Sequence, residues 1–112
     1  MKIAHELRAL HEKLEQLEDG PSVVGDWHRL EARVARMLIH TQNELTGLQR
    51  DLIDLVRAEP PDPRWYELQA RTRALRDGMQ ELRMLRLCAQ SRLFEHEVAE
   101  TQTDVSNWTR DA

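Results

Sequence analysis

Glu59-Pro60-Pro61-Asp62-Pro63 divides the chain into two long stretches with helical apolar spacing. Before it, Trp27, Leu30, Val34, Met37, Leu45, Leu48, Leu52 and Leu55 recur at threes and fours. After it, Trp65, Leu68, Leu75, Met79, Leu82, Ala89 and Leu93 repeat the pattern. Such spacing gathers the apolar side chains of a helix into one stripe, and each stretch is far longer than an ordinary globular helix. The few residues between them leave the second helix to fold back on the first. The expected fold is all-α: a long antiparallel helical hairpin, coiled-coil-like, within a single helical domain over residues 1–112.

A shorter helix precedes the hairpin. Ile3, Leu7, Leu10, Leu14 and Leu17 occupy heptad a and d positions with Glu and Lys between them, which predicts a helix over residues 2–17. An isolated helix of roughly 16 residues is marginal in water, so this one has to dock. Gly20-Pro21 stops it. Asp26 is the expected N-cap of helix 2, over residues 26–58, and Glu59 ends that helix because it precedes a proline. Between Met37 and Leu45 the seam steps by fours through Thr41, a stutter that loosens a left-handed supercoil. Helix 3 is expected over residues 63–100, capped by Asp62 with Pro63 at its first position. Thr101, Thr103, Asp104, Ser106 and Asn107 favour caps and turns, so residues 101–112 read as a frayed tail. Apolar periodicity runs unbroken through Asp77-Gly78, which predicts close helix contact at Gly78 rather than a turn.

Helix 3 carries more apolar surface than one partner can cover. From Met84 onward a second stripe, Met84, Leu87, Ser91, Phe94 and Val98, lies on the far side from the seam. Helix 2 broadens similarly at Met37-Leu38-Ile39, and antiparallel pairing sets Trp27 near Glu95 and Ile39 near Arg83, at the same end of the hairpin. The Gly20–Gly25 loop brings the short N-terminal helix to that end. Docking there makes a partial three-helix bundle with a bare two-helix arm toward the prolines. Any part of the second stripe left uncovered is a surface for another chain. Arg86 falls in register with Trp65, Met79 and Leu93. It is either a polar anchor for a partner or, with the seam passing through Leu85, a side chain that snorkels to water.

Bulk properties narrow the function. Charged residues make up 32% of the chain and aromatics 4%, the composition of long helices with solvated faces. The net charge is −4, which argues against a nucleic-acid partner. The densest positive stretch, Arg71, Arg73, Arg76, Arg83 and Arg86, is interleaved with Asp77 and Glu81. Its charges are expected to scatter around the axis, with Arg73 and Asp77 within i,i+4 reach. A single cysteine, Cys88, makes no internal disulfide and reads as a buried spectator. No apolar run has the length of a membrane span, and the charged start lacks a secretory signal, so a cytoplasmic location is expected.

Chemistry is absent from the pattern. The histidines at 5, 11, 28, 40 and 96 include no i,i+3 or i,i+4 pair, and no Gly-rich phosphate loop or nucleophile signature occurs. His5-Glu6-Leu7-Arg8 resembles the phosphoacceptor box of sensor histidine kinases, but the proline that follows that box is replaced here by the heptad residues Ala9-Leu10. The chain reads as a non-enzyme without cofactor or metal: a helical protein–protein interaction module working in a hetero-complex or a homo-oligomer. Its expected partner-binding residues are Met84, Leu87, Phe94, Val98, Tyr66 and Arg86.

Leu48-Gln49-Arg50-Asp51-Leu52, then Tyr66-Glu67-Leu68-Gln69 and Arg73-Ala74-Leu75 with Gly78, resemble the small helical-hairpin co-chaperones of type III secretion needle subunits. In that family a basic-acidic pair precedes the turn, a Tyr opens the second helix and an Ala-Leu pair follows about two turns later. The resemblance covers residues 45–82. It implies a cytosolic co-chaperone that, with a helical-repeat partner chaperone, holds an export substrate. Members are shorter, essentially hairpin only, and the triple-proline tip is unusual among them. The alternatives are a coiled-coil adaptor, scaffold or assembly factor, and an immunity or inhibitor protein suited to the acidic surface.

Overall fold

Long runs of Leu, Glu, Arg, Ala and Gln unbroken by proline favour helix at nearly every position. A computed structural model of the chain describes residues 2–57 and 62–110, with side chains over 3–57 and 62–102. Three helices account for it: α1 (Lys2–Asp19), α2 (Val24–Val56) and α3 (Arg64–Arg110). There is no strand among the described residues. Ala58, expected to end helix 2, and Glu59-Pro60-Pro61 lie outside the described residues.

Polar chemistry fixes where the long helices begin. At α3 the sequence expectation holds: the Arg64 N–H donates to Asp62 Oδ1 at 2.9 Å, and the Arg64 guanidinium donates to Oδ2 at 2.7 Å. At α2 the helix begins two residues earlier than expected and its N-cap three residues earlier. The N-cap is Val23, in extended geometry, and Asp26 sits inside the first turn, where its Oδ2 accepts the Val23 N–H at 3.3 Å. Asp26 therefore caps from within, as the acidic half of a capping box, and also pairs with Arg29 at 2.6 Å. The hydrogen bonds from Arg29 and the Val23 N–H hold the Asp26 carboxyl below its usual pKa, and those from Arg64 do the same for Asp62. A carboxylate with a depressed folded-state pKa adds stability above its ordinary pKa. It loses that contribution as the pH falls through the lowered value, so both helix starts loosen only in acid.

The far end of α3 also departs from expectation. The helix continues ten residues past Glu100, to Arg110. Within it the Thr101 hydroxyl donates back to the Glu97 carbonyl at 2.9 Å, so this side chain is not used as a cap.

α2 and α3 pack antiparallel along a continuous seam. Trp27, Leu30, Val34, Thr41, Leu45 and Leu48 are buried on α2, with Leu75, Met79, Leu82, Leu85 and Ala89 on α3. Thr41 takes a seam position at the expected stutter, and Thr72 satisfies its hydroxyl on the Leu68 carbonyl at 2.8 Å. The register agrees with that expected in bringing Ile39 and Arg83 to one groove, and the Arg92 guanidinium, bonded to Glu95, is 6.0 Å from the Trp27 ring centroid. Glu31 meets Arg86 at 3.1 Å, Glu44 meets Arg71 at 3.8 Å, and Leu55 shares a recess with Leu68 near the tip.

α1 docks at the end opposite the proline tip, chiefly on α3 and running parallel to it. Its seat is a face of α3 marked by Gly78, Leu85 and Arg92, seven residues apart. Gly78 is buried beneath the first turns of α1: a Cβ built there would stand 2.5 Å from Ile3 Cδ1 and 3.5 Å from Leu7 Cδ1. His11 meets Glu81 at 3.5 Å, and Glu18 meets Arg92 at 3.5 Å. Arg92 also bonds Glu95 at 3.2 Å and stands over Trp27, so one guanidinium links all three helices. The resulting body measures 80 × 25 × 14 Å with a radius of gyration of 20.7 Å. A ball of this chain length would have a radius of gyration of about 13 Å, so the core is a seam along a rod.

Candidate functional site

α1 does not cover the second apolar stripe. Its seat lies on the flank with Gly78 and Leu85, while Met84, Leu87, Ser91, Phe94 and Val98 stay exposed. Met84 and Leu87 are each 58% exposed and Phe94 65%. On α2, Leu38 is drawn partly into the core while Ile39, one residue on, stays 64% exposed.

The α2–α3 hairpin thus offers an open side opposite α1. A surface groove of about 660 Å³ runs there, with Leu38 and Ile39 on one wall and Met79 and Leu87 on the other. Arg83, Arg86, Gln42 and Gln90 supply its polar rim. Leu87 is also the ridge into a second recess of about 390 Å³, lined by Met84, Cys88, Ser91, Arg92 and Glu95 of α3 and bordered by Glu18 of α1. One leucine bordering two hollows can be gripped from both sides by a partner, the usual setting of an interface anchor.

The six residues expected to bind a partner divide into three groups. Met84, Leu87, Phe94 and Val98 lie within four turns of α3 on its free face. Arg86 is at the groove rim, where its Nε donates to Glu31 Oε1; the seam passes through Leu85, which is 2% exposed, so the guanidinium reaches water as the snorkelling alternative requires. Tyr66 is exposed but stands apart at the start of α3, edge-on to Trp65 with ring centroids 5.1 Å apart. Eighteen residues separate it from Met84, about 27 Å along a helix. Ile39 and Arg83 complete the groove and were not among the six. The broadening at Met37-Leu38-Ile39 was the signal for the first; spacing from Leu87 was the signal for the second.

Two expectations need correction. Cys88 is exposed, not buried, because it falls on the solvent side of the flank that α1 covers. The arginines do not all scatter. Arg71 and Arg86 turn toward α2 and pair there, whereas Arg73, Arg76 and Arg83 share the free face of α3 at steps of three and seven. None of these three makes an ion pair among the described residues, and Asp77 does not engage Arg73. Glu81, their other acidic neighbour, is directed to His11 on α1.

Among the described residues, no three His, Cys, Asp or Glu side chains gather closely enough to hold a metal ion, and no helix is long and apolar enough to cross a membrane. No buried side-chain nitrogen or oxygen among them lacks a hydrogen-bond partner. Comparison with protein-family models, curated proteins and solved structures returns no match.

Proposed function

We propose that this protein works by presenting helical surface to another polypeptide, without catalytic turnover. The observation that carries this reading is the uncovered stripe of Leu87, Phe94 and Val98 beside the Ile39–Leu87 groove. α1 docks at the same end of the hairpin, yet on the other flank. An amphipathic helix laid into a groove between two helices is a common mode of peptide recognition, with anchors at i, i+3, i+4 and i+7. Leu87 and Phe94 are seven residues apart and serve as the central anchors.

The finer form of this reading is a cytosolic co-chaperone that holds an export substrate together with a helical-repeat chaperone. It rests on the resemblance across residues 45–82 and on the long exposed arm that those residues form. Co-purification with a helical-repeat protein and a small export substrate supports that form. Recovery of the chain with a toxin enzyme supports an inhibitor instead.

Replacing Phe94 and Val98 together by Asp should abolish complex formation, while far-ultraviolet circular dichroism still reports a helical protein, since neither side chain belongs to the buried core. Substituting His5 or His40 should leave binding intact. Normal binding by the double variant, or loss of a measurable activity on removing either histidine side chain, refutes the proposal.

A further inference from the structure

The free face of α3 changes character along its length. Positions at three-and-four spacing read Arg73, Arg76, Gln80 and Arg83, and then Leu87 and Phe94. Its first half is cationic and its second half apolar. No acidic residue interrupts the ladder between Arg73 and Phe94. The neighbouring wall from α2 is neutral, with Gln42 and Asn43 lining the groove. Of the acidic side chains of this region, Glu81 faces α1, Glu31 and Glu44 are held by Arg86 and Arg71, and Asp77, exposed beside the ladder, pairs with none of its three arginines. A chain of net charge −4 has therefore left three unpaired guanidinium groups in line with its exposed apolar stripe.

That arrangement selects against a second copy of the same chain. Parallel pairing of two α3 faces sets each arginine against its own counterpart. Antiparallel pairing centred on Leu87 sets Phe94 on Gln80 and Val98 on Arg76. Both registers set arginines on like charges or on apolar side chains.

Resting on the docking reading above, we infer that the partner is an acidic amphipathic helix. Its carboxylates face Arg73, Arg76 and Arg83, and its apolar residues seat on Leu87, Phe94 and Ile39. Arginine suits the first task because its charge is permanent and its fork matches a carboxylate. The arginines give selection and register, and the apolar half supplies the burial.

Synthetic helices of about four heptads test this directly. Each carries one leucine stripe, flanked by Glu in the first, Gln in the second and Lys in the third. At low salt the Glu helix should bind the whole protein about tenfold or more tighter than the Lys helix, the sum of three exposed ion pairs, with Gln between them. The Glu advantage should shrink as salt rises. The triple variant R73E/R76E/R83E alters only exposed, unpaired side chains, so circular dichroism should be unchanged while the order of the peptides inverts. Equal binding of the Glu and Gln helices overturns the charge selection and leaves the docking reading standing. Binding of none of the three overturns both. Displacement of the Glu helix by a short DNA duplex assigns the arginines to phosphate and overturns the inference. So does a dimer, seen by sedimentation, that Leu87→Asp dissolves.

Discussion

Leu82→Ala should destabilise the protein by about 2–5 kcal/mol, whereas Leu87→Ala, five residues further along the same helix, should change stability by about 0.5 kcal/mol or less. The substitution is identical and the surroundings are not. Leu82 is 0% exposed in the seam between the long helices, so truncation removes its transfer free energy and leaves a cavity that two stiff helices cannot close. Leu87 is 58% exposed on the free face and has little burial to lose. Urea unfolding of the two variants beside the parent measures both shifts. Similar losses at the two positions would mean that Leu87 is already packed within the protein, and the free face would not exist.

Leu10→Ala comes next in size, at about 2–4 kcal/mol if α1 contributes to the cooperative unit. Leu10 is fully buried, and α1 alone is too short to persist in water. Hydrogen exchange distinguishes where the loss falls. Amides of α1 in the parent should exchange far more slowly than those of residues 101–110, and in Leu10→Ala that protection should collapse while the α2–α3 seam keeps its own. Gly78→Leu approaches the same contact from α3. Leucine is the better helix former, by about 0.8 kcal/mol, but it fills the space taken by Ile3 and Leu7. Protection should therefore fall in α1 and not in α3. Unprotected α1 amides in the parent would place that helix off the hairpin.

The hairpin was legible because its seam repeats at threes and fours for many turns on both sides of a proline cluster, a signal that few other folds imitate. Docking of the short helix was legible too, from its length and its single apolar face. Its side was not. The seat on α3 is made by a missing side chain at Gly78, one leucine at 85 and the polar contacts of Glu81 and Arg92, and none of these stands out as an apolar stripe. The sequence therefore left open whether α1 or another chain covers Met84, Leu87, Phe94 and Val98. The cationic half of that face was hidden for a related reason. Read in order, Arg73, Arg76, Asp77, Glu81 and Arg83 look mixed, yet Glu81 turns to α1 and the three arginines fall on one face without an ion pair. The start of α2 was missed by two residues because Asp26 reaches back to the Val23 N–H from the third position, a role its side chain fills as well as that of N-cap. Polar residues after Glu100 were read by their propensity, and a hydroxyl that bonds within the helix, as at Thr101, weakens that signal.

A photo-crosslinking residue placed in turn at Leu87, Phe94, Glu12 and Glu44 in cells of the source organism tests the docking face most directly. Leu87 and Phe94 lie on the free face of α3; Glu12 on α1 and Glu44 on α2 are exposed elsewhere. Irradiation should give one discrete polypeptide adduct from Leu87 and Phe94, none from Glu12 or Glu44, and none from any position once Val98 is replaced by Asp. Adducts of equal yield from all four positions, or an adduct from Glu12 with none from Leu87 and Phe94, would contradict a docking surface on that face.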